Sequence, residues 1–254
     1  MITDALRLAV GTLTVLRVPP AREFNRRVAG AAMVMAPVAV VPLGIAVGLT
    51  LWLGGELSLP SYVTAVLAVG LLALGSRALH LDGLADTADA LTASYDPTRS
   101  LEVMRTGNTG PAGVAALVFL LLLQVAALAS FAPRSYGWLL AGVMVCCSRA
   151  AVAATCMSGV PPARDEGLGS AFAGTVARVS VALVVAAVTV VAVLGFVAAD
   201  LPWWRGVIAV GAASFVVGLL LIRSVKRFGG VTGDTFGAAI ELALAALLVV
   251  ASAP

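Results

Sequence analysis

The stretch Leu79-His80-Leu81-Asp82-Gly83-Leu84-Ala85-Asp86-Thr87-Ala88-Asp89-Ala90 holds the densest chemistry in this chain. At about 100° per residue, a helix places Asp82, Asp86 and Asp89 within an arc of roughly 60°. Like charges at this spacing repel and weaken an isolated helix, so the pattern asks for a compensating cation. Mg²⁺ suits it, being a hard ion commonly held by one or two carboxylates together with substrate phosphates. A second ion would clamp the attacking and leaving oxygens of a displacement. The competing reading is a solvated acidic face at a helix end; Ala78 and Ala85, small residues on the same face, favour a packed site instead. His80, the sole histidine, sits about 160° from Asp82 on a continuous helix. It serves as a general base or substrate contact only if the helix bends around Gly83, and is otherwise a core histidine. Arg77, one turn earlier, either snorkels to the surface or meets phosphate.

Three glycine-rich stretches stand beside apolar runs: Arg105-Thr106-Gly107-Asn108-Thr109-Gly110 before the third, Arg164 to Phe172 (with Gly167) before the fifth, and Gly229-Gly230-Val231-Thr232-Gly233-Asp234 before the seventh. Glycine lets a backbone approach an anion, and helix N-termini offer free N–H groups to phosphate. Arg105, Arg164, Gly167, Gly230 and Gly233 are therefore candidate phosphate-binding residues. Asp234 and Glu241, seven residues apart, share a face of the last helix. Glu241 and Arg149 both fall inside apolar runs, where charge is costly and is usually functional or paired. Either they form a structural pair, or Arg149 meets phosphate while Asp234, with Glu241 as a further candidate, adds to the metal ligands.

The elements that must position these groups follow from composition. Of 254 residues, 61% are hydrophobic and 11% charged, with a mean hydropathy of +1.05. Soluble domains carry roughly 25% charged residues, so a water-soluble enzyme, a disordered segment and a nucleic-acid-binding module are excluded. The pattern predicts an all-α polytopic membrane protein forming a single unit over 1–254. An amphipathic interfacial helix is expected over 4–17 and a bundle over 30–252. Apolar runs near 30–53, 61–81, 112–131, 136–157, 179–199, 203–222 and 236–252 predict about seven spans, the second continuing as helix through Leu91. The N-terminal apolar stretch, closed by Arg17 and Pro19-Pro20, does not read as a secretory signal. With the N-terminus cytoplasmic, thirteen Lys and Arg residues fall in inner segments against Arg134 and Arg205 outside, the bias expected of an inner-membrane protein whose active face meets the cytoplasm. Cys146, Cys147 and Cys156 lack metal-ligand spacing and read as small core residues.

The His80–Asp89 stretch, Arg164 to Phe172, and Gly229-Gly230-Val231-Thr232-Gly233-Asp234 through Glu241 together resemble the cobalamin synthase (adenosylcobinamide-GDP ribazoletransferase) family over about residues 8–250. The resemblance implies transfer of the adenosylcobinamide-phosphate moiety of adenosylcobinamide-GDP to α-ribazole or its 5′-phosphate. It further implies release of GMP, Mg²⁺ as cofactor, and room for other cobalamin-pathway enzymes as partners. Between Met104 and Gly110 the family usually carries an acidic residue, whereas this chain has Thr106, Gly107 and Asn108; no acidic role is carried over there. On this reading Asp82, Asp86 and Asp89 hold Mg²⁺ against the diphosphate with help from Asp234. Arg105, Arg149 and Arg164 neutralise oxygens, and His80 or a metal-free Asp takes the hydroxyl proton. Three rivals stand beside it. A CDP-alcohol phosphotransferase would need an Arg where Asp86 stands, a UbiA-type prenyltransferase would need a second Asp-rich motif, and a transporter would place its ionisable groups near the midplane.

Overall fold

The computed structural model describes residues 1–253, and among these every regular element is a helix. In chain order they are α1 (Ile2–Leu13), α2 (Arg26–Val34), α3 (Ala36–Ala39), α4 (Val41–Glu56), α5 (Ser61–Gly75), α6 (Leu79–Ala93), α7 (Pro97–Val103), α8 (Pro111–Phe131), α9 (Gly137–Ser148), α10 (Ala150–Thr155), α11 (Leu168–Phe172), α12 (Arg178–Ala198), α13 (Trp203–Phe228) and α14 (Gly233–Ser252).

The N-terminal helix is amphipathic but shorter than the span 4–17 expected. It stops at Leu13, where Thr14 turns to extended backbone and its hydroxyl donates to the Val10 carbonyl at 2.8 Å. Ala5, Ala9 and Leu13 are buried, and α1 packs on α2 and α3. The apolar run over 30–53 is not one helix. Pro37 and Pro42 lack an N–H and crowd the preceding turn, and the chain breaks at Met35 and Val40 into α2, α3 and α4. The 16 residues of α4 reach about 24 Å at 1.5 Å per residue, short of the roughly 30 Å hydrocarbon core. Against α9 it packs backbone to backbone: a Cβ on Gly44 would lie 2.7 Å from the Gly142 carbonyl oxygen, and one on Gly142 2.6 Å from that of Gly44. Small residues give membrane helices this kind of close contact.

The second apolar run does not continue straight to Leu91. Between α5 and α6 the chain bends by 89°, through Arg77 (φ 58°) and Ala78 (φ 54°). Left-handed backbone at a non-glycine residue costs roughly 1–2 kcal/mol, and contacts with α1 offset it. Arg77 Nη2 donates to the Gly11 carbonyl at 2.8 Å, and Val15 N–H donates to Gly75 O at 2.7 Å. Past this corner α6 leaves the span and lies across the N-terminal ends of α8 and α14 and the C-terminal end of α13, where Arg227 Nη2 donates to the carbonyls of Leu91 and Ser94.

Five stretches are long and apolar enough to cross a membrane: α8, the α9–α10 path, α12, α13 and α14. A sixth is reached only if α5 and α6 are counted together, and α4 stays short. All seven apolar runs are therefore helical, but they do not make seven full-length spans. The central one is α14, 72% buried against 28% for α12. It touches α6, α8, α9, α10 and α13. The loops following α6, α10 and α13 meet at one end of the bundle, held by an Arg164–Leu101 hydrogen bond and a backbone bridge between Pro162 and Val231.

Candidate active site

Two glycines let α6 and α14 touch. A Cβ on Gly83 would lie 2.6 Å from the Asp234 carbonyl oxygen, and one on Gly237 would lie 2.9 Å from the Cα of His80. No side chain fits at either position without separating the helices. This crossing sets Asp82 and Asp86, one turn apart on α6, beside Asp234 in the first turn of α14. Thr232 caps α14, accepting from Thr235 N–H at 3.3 Å, while its hydroxyl donates to Asp234 Oδ2 at 3.2 Å.

The three carboxylates are short of positive partners. Asp86 is pushed up to about 6, first by partial burial, then by the charges of Asp82, Asp234 and Asp89, with Arg164 opposing. Among the described residues no Lys or Arg nitrogen lies within 4.0 Å of Asp82, Asp86 or Asp234. Arg164 comes nearest in effect, feeling both Asp234 and Asp86, with Arg105 beside it. One amino group of Arg164 donates to Leu101 O, and its buried Nε has no protein partner. An all-oxygen donor set with unbalanced negative charge fits Mg²⁺. Among the described residues no three His, Cys, Asp or Glu side chains converge into a cage of their own, so the fit is to an ion whose shell substrate phosphates and water complete.

Asp89 shares the acidic face but is otherwise engaged. Its carboxylate accepts from Gly110 N–H at 2.7 Å and Gly113 N–H at 2.8 Å, capping α8, and the side chain is buried. The expected Asp82–Asp86–Asp89 grouping is therefore not gathered as a set of three free carboxylates: Asp89 acts as a helix cap, and it is Asp234 whose charge is felt beside those of Asp82 and Asp86. By the same contact the N-terminus of α8 already holds an anion, the protein's own. The α8 end of the glycine-rich stretch is therefore not an open phosphate site, whereas Arg105 at the stretch's start has its charge felt at Arg164.

The other two stretches frame a cavity of about 160 Å³ lined by Arg164, Glu166, Gly167, Gly169, Thr232, Gly233 and Asp234. Gly167 adopts φ 89°, open only to glycine without strain. A Cβ on Gly230 would overlap the backbone of Pro161 and Pro162, so this glycine serves the loop contact and does not line the cavity. A second cavity, about 120 Å³ and largely apolar, lies on the other side of Gly233 and Asp234 and includes His80 and Asp82.

Deeper in the bundle sits a second polar cluster. Gln124 Nε2 donates to Glu241 Oε2 at 2.9 Å, and His80 Nδ1 lies 3.9 Å from Glu241 Oε1. Arg149, with no exposed surface, donates through Nη1 to Val145 O and Ser148 Oγ and feels the charge of Glu241. Burial first, then Arg149 and Arg77, hold His80 down to about 3, so it is neutral at physiological pH.

Comparison with known proteins decides between the rival readings. The family model described as cobalamin-5-phosphate synthase matches residues 5–252. The chain belongs to the cobalamin-5-phosphate synthase family. It is 48% identical to an adenosylcobinamide-GDP ribazoletransferase of a Nocardioides species, over 97% of each chain. A protein of the same description from Frankia casuarinae is 38% identical, over 96% of this chain and 92% of its own length. One from Bradyrhizobium diazoefficiens is 36% identical, over 98% and 93%. No solved structure matches.

Within this synthase-family chain, the structure brings together Asp82, Asp86, Asp234, Arg105, Arg164, Gly167 and Gly233 at one end of the bundle. It does not bring Arg149 there: that guanidinium is sealed in the deeper cluster with Glu241, without a direct ion pair within 4.0 Å. Arg77 is spent on the Gly11 and Thr12 carbonyls at the α5–α6 corner. The helix does not bend at Gly83, yet His80 still borders the apolar cavity together with Asp82, because the turn comes before it. Sequence reasoning missed Gln124, although a lone amide in an apolar run was the signal for it.

Proposed function

We propose that this chain is a membrane-embedded, Mg²⁺-dependent transferase that joins adenosylcobinamide-GDP to α-ribazole or its 5′-phosphate. The products are adenosylcobalamin or its phosphate, and GMP. A ribazole hydroxyl oxygen attacks the phosphorus bonded to cobinamide, a new P–O bond forms, and the bond to the GMP oxygen breaks. Reactions of this kind depend on positioning and on neutralising charge at phosphoryl oxygens. Asp82, Asp86 and Asp234 would hold Mg²⁺, which when bound offsets the charge of the diphosphate. Arg164 and Arg105 bind phosphate oxygens beside the glycine-lined cavity. A carboxylate of the cluster not engaged with the cation accepts the hydroxyl proton. His80, neutral and poorly basic, serves less well in that role. Thirteen Lys and Arg residues belong to segments on the side of the site, which supports a cytoplasm-facing site in the inner membrane.

The observation that carries this reading is that the charges of Asp82, Asp86 and Asp234 are felt by one another, with little positive charge to offset them, beside a glycine- and arginine-lined cavity at the α6–α14 crossing. Purified protein in micelles, given adenosylcobinamide-GDP and α-ribazole, should release GMP with Mg²⁺ and stop when it is chelated. Turnover unaffected by chelation would refute the metal assignment, and absence of turnover would refute the reaction.

A further inference from the structure

The two cavities that flank Gly233 and Asp234 differ in chemistry. One is lined by Arg164, Thr232 and glycines and suits phosphates. The other is walled by Leu13, Met33, Phe172, Phe236 and Ile240, with Leu168, Gly233 and Asp234 shared between the two and Thr12, His80, Asp82 and Asp234 as its polar groups. Its 120 Å³ is less than the roughly 150 Å³ apolar cavity that admits benzene, but it is not sealed, so a flat two-ring system can insert one edge with the rest of the molecule left outside.

Resting on the function proposed above, three ring systems compete for this space: guanine, the corrin and the benzimidazole of α-ribazole. The corrin macrocycle is far too large. Guanine carries several donors and acceptors on its edge, and burying any of them without a partner costs about 1–3 kcal/mol; the polar side chains of this lining are Thr12, His80, Asp82 and Asp234, and the two carboxylates are assigned above to the cation. The dimethylbenzimidazole of α-ribazole is flat and apolar, has no N–H, and carries one acceptor nitrogen. His80 is the one N–H-bearing side chain in the lining, is only 5% exposed, and has no hydrogen-bond partner at its buried Nδ1.

We infer that the cavity between α6, α11 and α14 is the nucleoside-acceptor subsite, which takes the benzimidazole base of α-ribazole against Phe172 and Phe236. The base enters the apolar wall and the ribose stays at the mouth. That places its hydroxyls beside Asp82 and Asp234, next to the cavity that takes phosphate. One short path then leads from the bound nucleoside to the reacting phosphorus, across Gly233.

Thr12, part-exposed and lining the apolar cavity but not the phosphate cavity, offers a substitution that leaves the core intact. In Thr12→Trp the indole takes up space in the apolar cavity alone. Equilibrium binding of α-ribazole, followed by the fluorescence of its base, should weaken at least tenfold while GDP binding stays within twofold. Phe236→Ala, which removes an aromatic wall, should show the same partition in its folded fraction. Weakened GDP binding with unchanged α-ribazole binding would overturn the assignment, as would no change in either. Wild-type protein that binds α-ribazole but releases no GMP would instead count against the proposed reaction, so the two failures are distinguishable.

Discussion

Two charged clusters sit along the same helix, α14, and are built in opposite ways. Asp234 lies in its first turn and Glu241 seven residues on, about 10 Å deeper at 1.5 Å per residue. The deeper cluster holds charges of both signs: Glu241 has Gln124 as a donor, Arg149 as a nearby counter-charge and a neutral His80 as a neighbour, although Arg149 Nε and Nη2 and His80 Nδ1 have no hydrogen-bond partner. The outer one is acidic throughout, with Arg164 its main opposing charge. Carboxylates that a protein leaves unbalanced are available to an external cation and its ligand, whereas balanced ones hold helices together. On the proposed function, the same side-chain types would perform chemistry at the bundle end and architecture inside it.

The strongest way to break this contrast is to neutralise one member of each cluster. Asp82→Asn or Asp234→Asn should lower GMP release by about 10²-fold or more, the scale of losing one preorganised charge-stabilising group, while thermal unfolding in detergent stays near wild type. Glu241→Gln should do the reverse. Leaving Arg149 uncompensated should cost roughly 3–5 kcal/mol of stability, read as a lowered Tm and yield, with kcat of the folded fraction largely kept. The double variant Glu241→Gln/Arg149→Leu should recover part of that loss. If Glu241→Gln lost turnover but not stability, the division into chemistry and architecture would be wrong.

Protons sharpen the same comparison. With Asp86 near 6, its carboxyl is protonated below that pH and no longer available to a cation. At limiting Mg²⁺, turnover should fall as pH drops through about 6, approaching tenfold per unit, and added Mg²⁺ should move the midpoint lower. Asp82→Asn removes one of the repulsive charges, so residual activity should show a lower midpoint. The smallest effect is expected at Asp89. Asp89→Ala should destabilise by about 1–2 kcal/mol, as loss of a helix cap does, and Asp89→Asn by less. Both should retain far more turnover than Asp82→Asn at permissive temperature.

What the sequence made legible follows from which contacts are local. Asp82, Asp86 and Asp89 lie on one helix, so their shared face is a matter of spacing, and the apolar runs announced the bundle. The α5–α6 corner could not be read, because left-handed backbone at Arg77 and Ala78 is favoured by neither residue type; α1, more than sixty residues earlier, holds it through Gly11. The role of Asp89 was hidden for the same reason: its two N–H donors lie 21 and 24 residues on. Asp234 could be placed on the correct face of its own helix, but its meeting with Asp82 depends on Gly83 and Gly237 letting two distant helices touch. The run over 30–53 reads as one span on hydropathy, although Pro37 and Pro42 within it break the helix.

On the proposed function the outer carboxylates hold a divalent ion, and the decisive measurement is Mg²⁺ titration of GMP release by wild type and by Asp82→Asn, Asp234→Asn and Glu241→Gln. Saturation should shift to at least tenfold higher Mg²⁺ in the first two variants and stay within twofold of wild type in Glu241→Gln. An identical Mg²⁺ midpoint in all four proteins would contradict the assignment of the ion to the α6–α14 crossing.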